Sequence, residues 1–198
     1  MPERFRLSFT AASLLVPDMA QLASAVLDAD GQWADLKPSL LSRNREKSNK
    51  REFTELVLRL KTLSQGELEL LATGDLDDQR QMSLIAFGRS YVFFRQFLSE
   101  VVMRKLQVFD HQLGDMDYWS FFSSKELTHP ELSQMADSTR EKLRQVMFKA
   151  MEQGGLLDGV ETKRVVVPLI TSRVRALLEA NSGRDAELLL DQTMRTMS

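Results

Sequence analysis

Between residues 79 and 109 apolar side chains fall on almost every face of a helix, and this stretch constrains the fold more than any other. Phe87, Tyr91, Phe93, Phe94, Phe97, Val101 and Leu106 leave little surface suited to water, so a helix built from them belongs inside a fold. It does not read as a membrane span. Arg89, Arg95, Glu100, Arg104 and Lys105 interrupt it, whereas a span needs about 20 largely uncharged residues. A single helix over 79–109 is therefore expected as a central post, with shorter amphipathic helices packed around it.

The remaining sequence supplies such helices. Residues 4–15 begin extended and turn helical near Thr10. Pro17 and Asp18 offer a start for a helix with Met19, Leu22, Ala23, Val26 and Leu27 on one face, stopped by Gly31. Trp33, Leu36, Leu40 and Leu41 suggest a short second helix, interrupted or started by Pro38. A polar link, 42–47, leads to a helix over 48–63. There Asn49 and Glu52 have capping-box spacing, and Phe53, Leu56, Val57, Leu60 and Leu63 recur at helical intervals. Ser64 caps a short helix over 66–72. Asp75, Asp77 and Asp78 then favour the positive N-terminal end of the post.

The C-terminal third predicts three helices, over 117–123, 130–135 and 138–152, with Pro130 at a first helical position and Gly154-Gly155 as a stop. Residues 156–167 carry the β signal: Asp158-Gly159 is a turn pair, and Val165-Val166-Val167 is a β-branched run ended by Pro168. A last helix runs over 169–180. The expected fold is thus all-α, a multi-helix globular arrangement with two helix-turn-helix units, the C-terminal one winged by a short β-hairpin. Its regions are 1–113 (first helix-turn-helix and long central helix), 114–183 (winged unit) and 184–198 (tail), packing as one unit overall.

Residue usage narrows the chemistry. Hydrophobic residues make up 43% of the 198, enough for a real core. The absence of cysteine removes disulfides, thiolate zinc sites, iron–sulfur clusters and cysteine nucleophiles at once. His111 and His129 have no second ligand at helical metal spacing, and Asp110, Asp115 and Asp117 read as a loop with helix caps. Asp77 and Asp78 lack the alternating oxygen ligands of a calcium loop. No glycine-rich phosphate cradle or G-x-S-x-G elbow occurs. A cytoplasmic protein with no catalytic residues, cofactor, metal, membrane contact or small-molecule substrate is expected.

Two constellations suit a polyanion, although the formal net charge is only -2. Lys37, Arg43, Arg45, Lys47, Lys50 and Arg51 cluster on a link and the first turn of the helix after it, opposed by Glu46. Phosphates favour that placement through fixed cations and free amides at a helix N-terminus. A solvated basic loop without a partner fits the same residues. Glu55, on what reads as the outward face, limits how deeply this helix enters a groove. The second constellation is the helix over 138–152. Leu143, Val146, Met147, Ala150 and Met151 share one face, and at 100° per residue Ser138, Lys142, Gln145 and Lys149 fall opposite. Arg140, and Lys163 and Arg164 on the hairpin, add charge beside it. The glutamine amide can pair with adenine edges and the lysines with phosphates; docking of a protein remains the alternative use of such a unit.

Three strings carry a family resemblance: RLSFTAASLL (6–15), RLKTLSQGELELLATG (59–74) and HPELSQMADSTREKLRQVMFKAMEQGGLL (129–157). They closely resemble the BrxA family, small helical core proteins of BREX bacteriophage-exclusion systems, and the likeness runs in order from about residue 4 to 180. It implies a cytoplasmic, non-enzymatic part of a phage-defence system that marks host DNA by methylation. It also implies an all-helical protein with two helix-turn-helix motifs that binds double-stranded DNA and is similar in shape to NusB. The implied partners are duplex DNA and other BREX proteins such as the methyltransferase. A scaffold within the BREX complex is the alternative, and RNA binding, by the likeness to NusB, a third.

Overall fold

The computed structural model describes residues 4–41, 46–181 and 183–191, with the side chains of 46–48 left out. The chain enters extended, makes a tight 3-10 turn at Ser8–Ala11, and reaches α1 (Val16–Asp28) through Leu15 at φ 53°. That left-handed backbone costs a non-glycine residue about 1–2 kcal/mol. It is held from the far end of the sequence: Gln153 Oε1 accepts the amides of Leu14 at 2.8 Å and Leu15 at 3.3 Å. Helix α1 therefore begins ahead of Pro17 and Asp18, and buries Met19, Leu22, Ala23 and Val26 as their spacing requires.

The expected short second helix is replaced by two 3-10 turns, Trp33–Asp35 and Pro38–Leu40. Proline disfavours helical backbone in the residue before it, and Lys37 is indeed extended. α2 (Glu46–Leu60) follows. Asn49 does not cap it; the residue is buried within the helix and donates from Nδ2 to the Leu41 carbonyl at 3.2 Å. α3 (Gln65–Thr73) opens on a reciprocal cap in which the Ser64 amide donates to Glu67 Oε2 at 2.7 Å and Ser64 Oγ accepts the Glu67 amide. Asp75 and Asp78 cap α4 (Leu76–Ser90) in the same way.

The central post is buried as expected, but it is not one helix. It breaks at Tyr91, whose φ is -131° and ψ 93°, and resumes as α5 (Val92–Phe97), a widened π-type turn at Leu98–Val102, and α6 (Met103–Gln107). The break sits in a run of aromatic and β-branched residues of modest helix propensity. It also coincides with a polar anchor: the Tyr91 hydroxyl donates to Glu55 at 2.6 Å and accepts from Arg59 Nε at 3.0 Å. Edge-on aromatic contacts wrap the resumed helix, Phe93 against Phe5 and Phe122, and Phe97 against Phe121 and Phe148.

α7 (Asp115–Glu126), α8 (Pro130–Ser133) and α9 (Asp137–Gln153) form the C-terminal three-helix run, with Pro130 at its predicted first position. The β-hairpin wing is absent. Among the described residues there is no strand, only isolated antiparallel bridges at Leu157↔Val165 and Gln112↔Arg164. The valine run divides its amides between two neighbours, Val165 to the His111 carbonyl at 2.7 Å and Val166 to that of Leu156 at 3.0 Å. Lys163 adopts φ 51°, and Pro168 has no amide to continue a ladder. α10 (Ser172–Ala180) starts at Ser172, capped by the Thr171 hydroxyl, which accepts the Val174 amide at 3.2 Å.

One hydrophobic cluster runs from Phe5 to Leu190 through all of these elements. The turn Ala186–Leu189 packs on α4 so closely that a Cβ on Gly88 would lie 2.2 Å from Leu188 Cδ2. Among the described residues no helix is long and apolar enough to cross a membrane.

Candidate nucleic-acid interface

Helix α9 places its faces as the 100° arithmetic requires. Leu143, Val146, Met147, Ala150 and Met151 are buried, and Ser138, Lys142, Gln145 and Lys149 are exposed. The exposed ridge is not a bare helix, however. The 10–15 segment runs alongside it and leaves a groove of about 360 Å³ lined by Lys142, Gln145 and Lys149 on one side and Glu52 of α2 on another.

The floor of this groove is carried by a buried cation. Arg59 is fully buried, its guanidinium donating to the carbonyls of Ser13 at 2.5 Å and Ala12 at 2.6 Å while lying 4.6 Å over the Phe87 ring. Burial pulls the Arg59 pKa down, opposed by Tyr91 and Glu55. The same burial pushes the Tyr91 hydroxyl up, so it stays protonated and donates to Glu55. Ser8 Oγ donates to Glu55 at 2.9 Å, which fastens the Ser8–Ala11 turn to α2. Glu55 is therefore buried and occupied, not the outward acid that its sequence position suggests.

The remaining sequence candidates scatter. Arg43 and Arg45 lie outside the described residues, as does the side chain of Lys47. Lys37 is exposed beside the Pro38 turn, and Lys50 is exposed on the side of α2 nearly opposite Glu52. Arg51, also exposed, stands one turn before Glu55 on the edge nearer the groove. Arg140 turns inward, donating to the carbonyls of Met135 at 3.1 Å and Ser133 at 2.9 Å, pairing with Glu126 at 3.1 Å, and covering the Phe122 ring. It closes the end of α8. Lys163 pairs with Asp115 at 3.1 Å beside Phe148, and with exposed Arg164 it lies on a different flank of α9 from the groove.

On the ridge itself Lys149 pairs with Glu152, and Gln145 donates to Glu141 at 3.3 Å. Lys142 makes no ion pair among the described residues. Among the basic residues not singled out in the sequence, Arg4 and Arg6 share that property; both are exposed on the entering segment, with buried Phe5 between them. The alternation Arg4-Phe5-Arg6-Leu7, basic out and apolar in, is the period-two signal that marks them.

Nothing in the site resembles a metal centre; among the described residues no three His, Cys, Asp or Glu side chains gather to hold an ion. His129 stacks on Phe5 at 3.8 Å with Nδ1 3.2 Å from Glu131, and His111 Nδ1 lies 3.4 Å from the Val165 carbonyl. A second concavity, about 450 Å³, is largely apolar and lined by Leu106, Phe109, Val167, Leu169 and Leu190. Phe109 is 87% exposed and Leu169 91%.

Over 153 residues the chain is 24% identical to the BREX protein BrxA of Escherichia coli O9:H4 (strain HS), covering 77% of this chain and 72% of that one. It is 26% identical over 164 residues to the BREX protein BrxA of Bacillus cereus (strain H3081.97), covering 78% and 82% respectively. A crystal structure of an uncharacterized protein from Magnetospirillum magneticum superposes with a TM-score of 0.80 over 96% of this chain and 99% of that one; at 17% identity the likeness is one of fold. The model of the BrxA family matches residues 3–182, nearly the whole chain, and the protein therefore belongs to the BrxA family.

Proposed function

We propose that this protein binds double-stranded DNA without catalysing a reaction, in the cytoplasm, and that the α9 ridge is its principal contact. Family membership makes it a component of a BREX phage-defence system. The observation that carries the DNA reading is the exposed line Lys142, Gln145 and Lys149 along one groove, with Lys142 outside any described ion pair. The neighbouring 10–15 segment keeps α9 from burying its full length in a major groove. Phosphate contact then outweighs base contact, and binding tolerates sequence. The helix-turn-helix description fits α7–α9 loosely, because α8 is a single turn.

The test is a mobility shift with unrelated duplexes and the charge-reversed variant Lys142→Glu with Lys149→Glu. Each lysine lost is expected to weaken every duplex alike by roughly tenfold, about 1.4 kcal/mol. Unchanged shifts would overturn the reading. A second reading, docking of another BREX protein, is favoured by the apolar concavity around Phe109 and Leu169. Retention of a BREX partner by the lysine variant, with its loss in Leu169→Asp, marks that reading. Preference for structured RNA over duplex in competition marks the third.

A further inference from the structure

We infer that basic residues from both halves of the chain serve one duplex and not two, with Arg6 and Arg51 on the rim of the α9 groove across from its lysines. This rests on the DNA-binding reading above. Glu52 of α2 and the α9 ridge line the same concavity, so the two helices face one another across it. The floor is tied to both: Ser8 donates to Glu55 of α2 at 2.9 Å, and Gln153 of α9 accepts the Leu14 and Leu15 amides. Arg6 leaves the chain two residues before Ser8, and Arg51 stands one turn before Glu55. Both side chains arise beside that serine–glutamate bond, and both are exposed.

On the opposite wall Lys142 and Lys149 stand two turns apart, about 10 Å along the helix. Phosphates of one strand succeed one another every 3.4 Å of duplex axis, so the two lysines span about three steps. The carboxylate of Glu52, on the α2 side of the groove, disfavours phosphate between the two walls. A phosphate backbone is thereby kept to the rims, where Arg6 and Arg51 meet it from one side and the lysines from the other. Lys163 and Arg164, on another flank of α9, lie off this track.

The test is a stoichiometric titration of a labelled duplex of about one helical turn, using wild-type protein, Arg6→Gln with Arg51→Gln, and Lys142→Gln with Lys149→Gln. Circular dichroism confirms that each variant, altered only at exposed positions, keeps its helices. One duplex per chain is expected, and each pair is expected to weaken that single binding event by roughly a hundredfold, tenfold per contact. Two duplexes per chain, or full affinity in the arginine pair, overturns the one-groove inference while leaving DNA binding intact. A wild-type protein that binds no duplex overturns the DNA reading itself, and this inference with it.

Discussion

Replacing Arg59 with methionine is expected to lower stability by about 3–5 kcal/mol, the usual cost of removing one partner from a buried charged pair. The side chain is fully enclosed and makes three hydrogen bonds, to Tyr91 Oη and to the carbonyls of Ala12 and Ser13. Methionine fills the volume but donates nothing. Two carbonyls lose their donor, and the Glu55 carboxylate, which Tyr91 relays to Arg59, stays buried without its cation. Urea unfolding reads the loss directly. Adding Glu55→Gln should recover part of it, because the orphaned charge is then gone. A loss below about 1 kcal/mol would mean that the network is solvated and not buried as described. The groove should suffer too, since the 12–13 carbonyls are the fixed points of its floor.

Arg89→Ala is expected to cost a similar amount, about 3–5 kcal/mol, and to change the response to acid. Arg89 donates to both oxygens of Glu67 at 2.8 and 2.6 Å, to Asp185 at 3.0 Å and to the Thr62 carbonyl at 2.8 Å. It thus ties α4 to the start of α3 and to the residues just before the Ala186–Leu189 turn. Burial pushes the Glu67 carboxyl up, but the hydrogen bonds from Arg89 and Ser64 together outweigh it and hold the group below its ordinary 4.5. A depressed folded-state pKa contributes stability that is fully present above the unfolded value and is lost as pH falls through the folded one. Wild-type stability should therefore hold down to about pH 4.5 and decline below it. In Arg89→Ala only the Ser64 hydrogen bonds still oppose burial, so the Glu67 contribution to that acid decline should shrink. Stability measured by denaturant at a series of pH values checks both parts; an identical acid profile for the two proteins would contradict the assignment.

What was legible in the sequence followed from local chemistry. Ser64 with Glu67, and Asp75 with Asp78, announce their caps within four residues, and the structure makes those bonds. The buried face of α9 follows from spacing alone. The Tyr91 break was not legible, because the Arg59 and Glu55 groups that receive its hydroxyl lie 32 and 36 residues away. The valine run at 165–167 has the composition of a strand, but its amides go to two separate segments, and neither pairing grows past a bridge. Within the site, Lys142, Gln145 and Lys149 were readable as one ridge. Arg140 reads as their neighbour because its charge is visible in the sequence and its carbonyl acceptors at 133 and 135 are not. The groove depends on contacts between the N-terminal segment and α9, such as Leu14 to Gln153 across 139 positions, which no local pattern encodes.

Whether this groove holds duplex DNA by its phosphates is read most plainly from the salt dependence of affinity. Plotted as log affinity against log salt, phosphate-dominated binding falls by about 0.9 for each contact neutralised. Wild-type protein should therefore give a slope of roughly -3 to -4 for four groove cations, and Lys142→Gln with Lys149→Gln a slope shallower by about 2. A flat line for the wild type, or an unchanged slope in the lysine variant, would contradict phosphate binding in this groove.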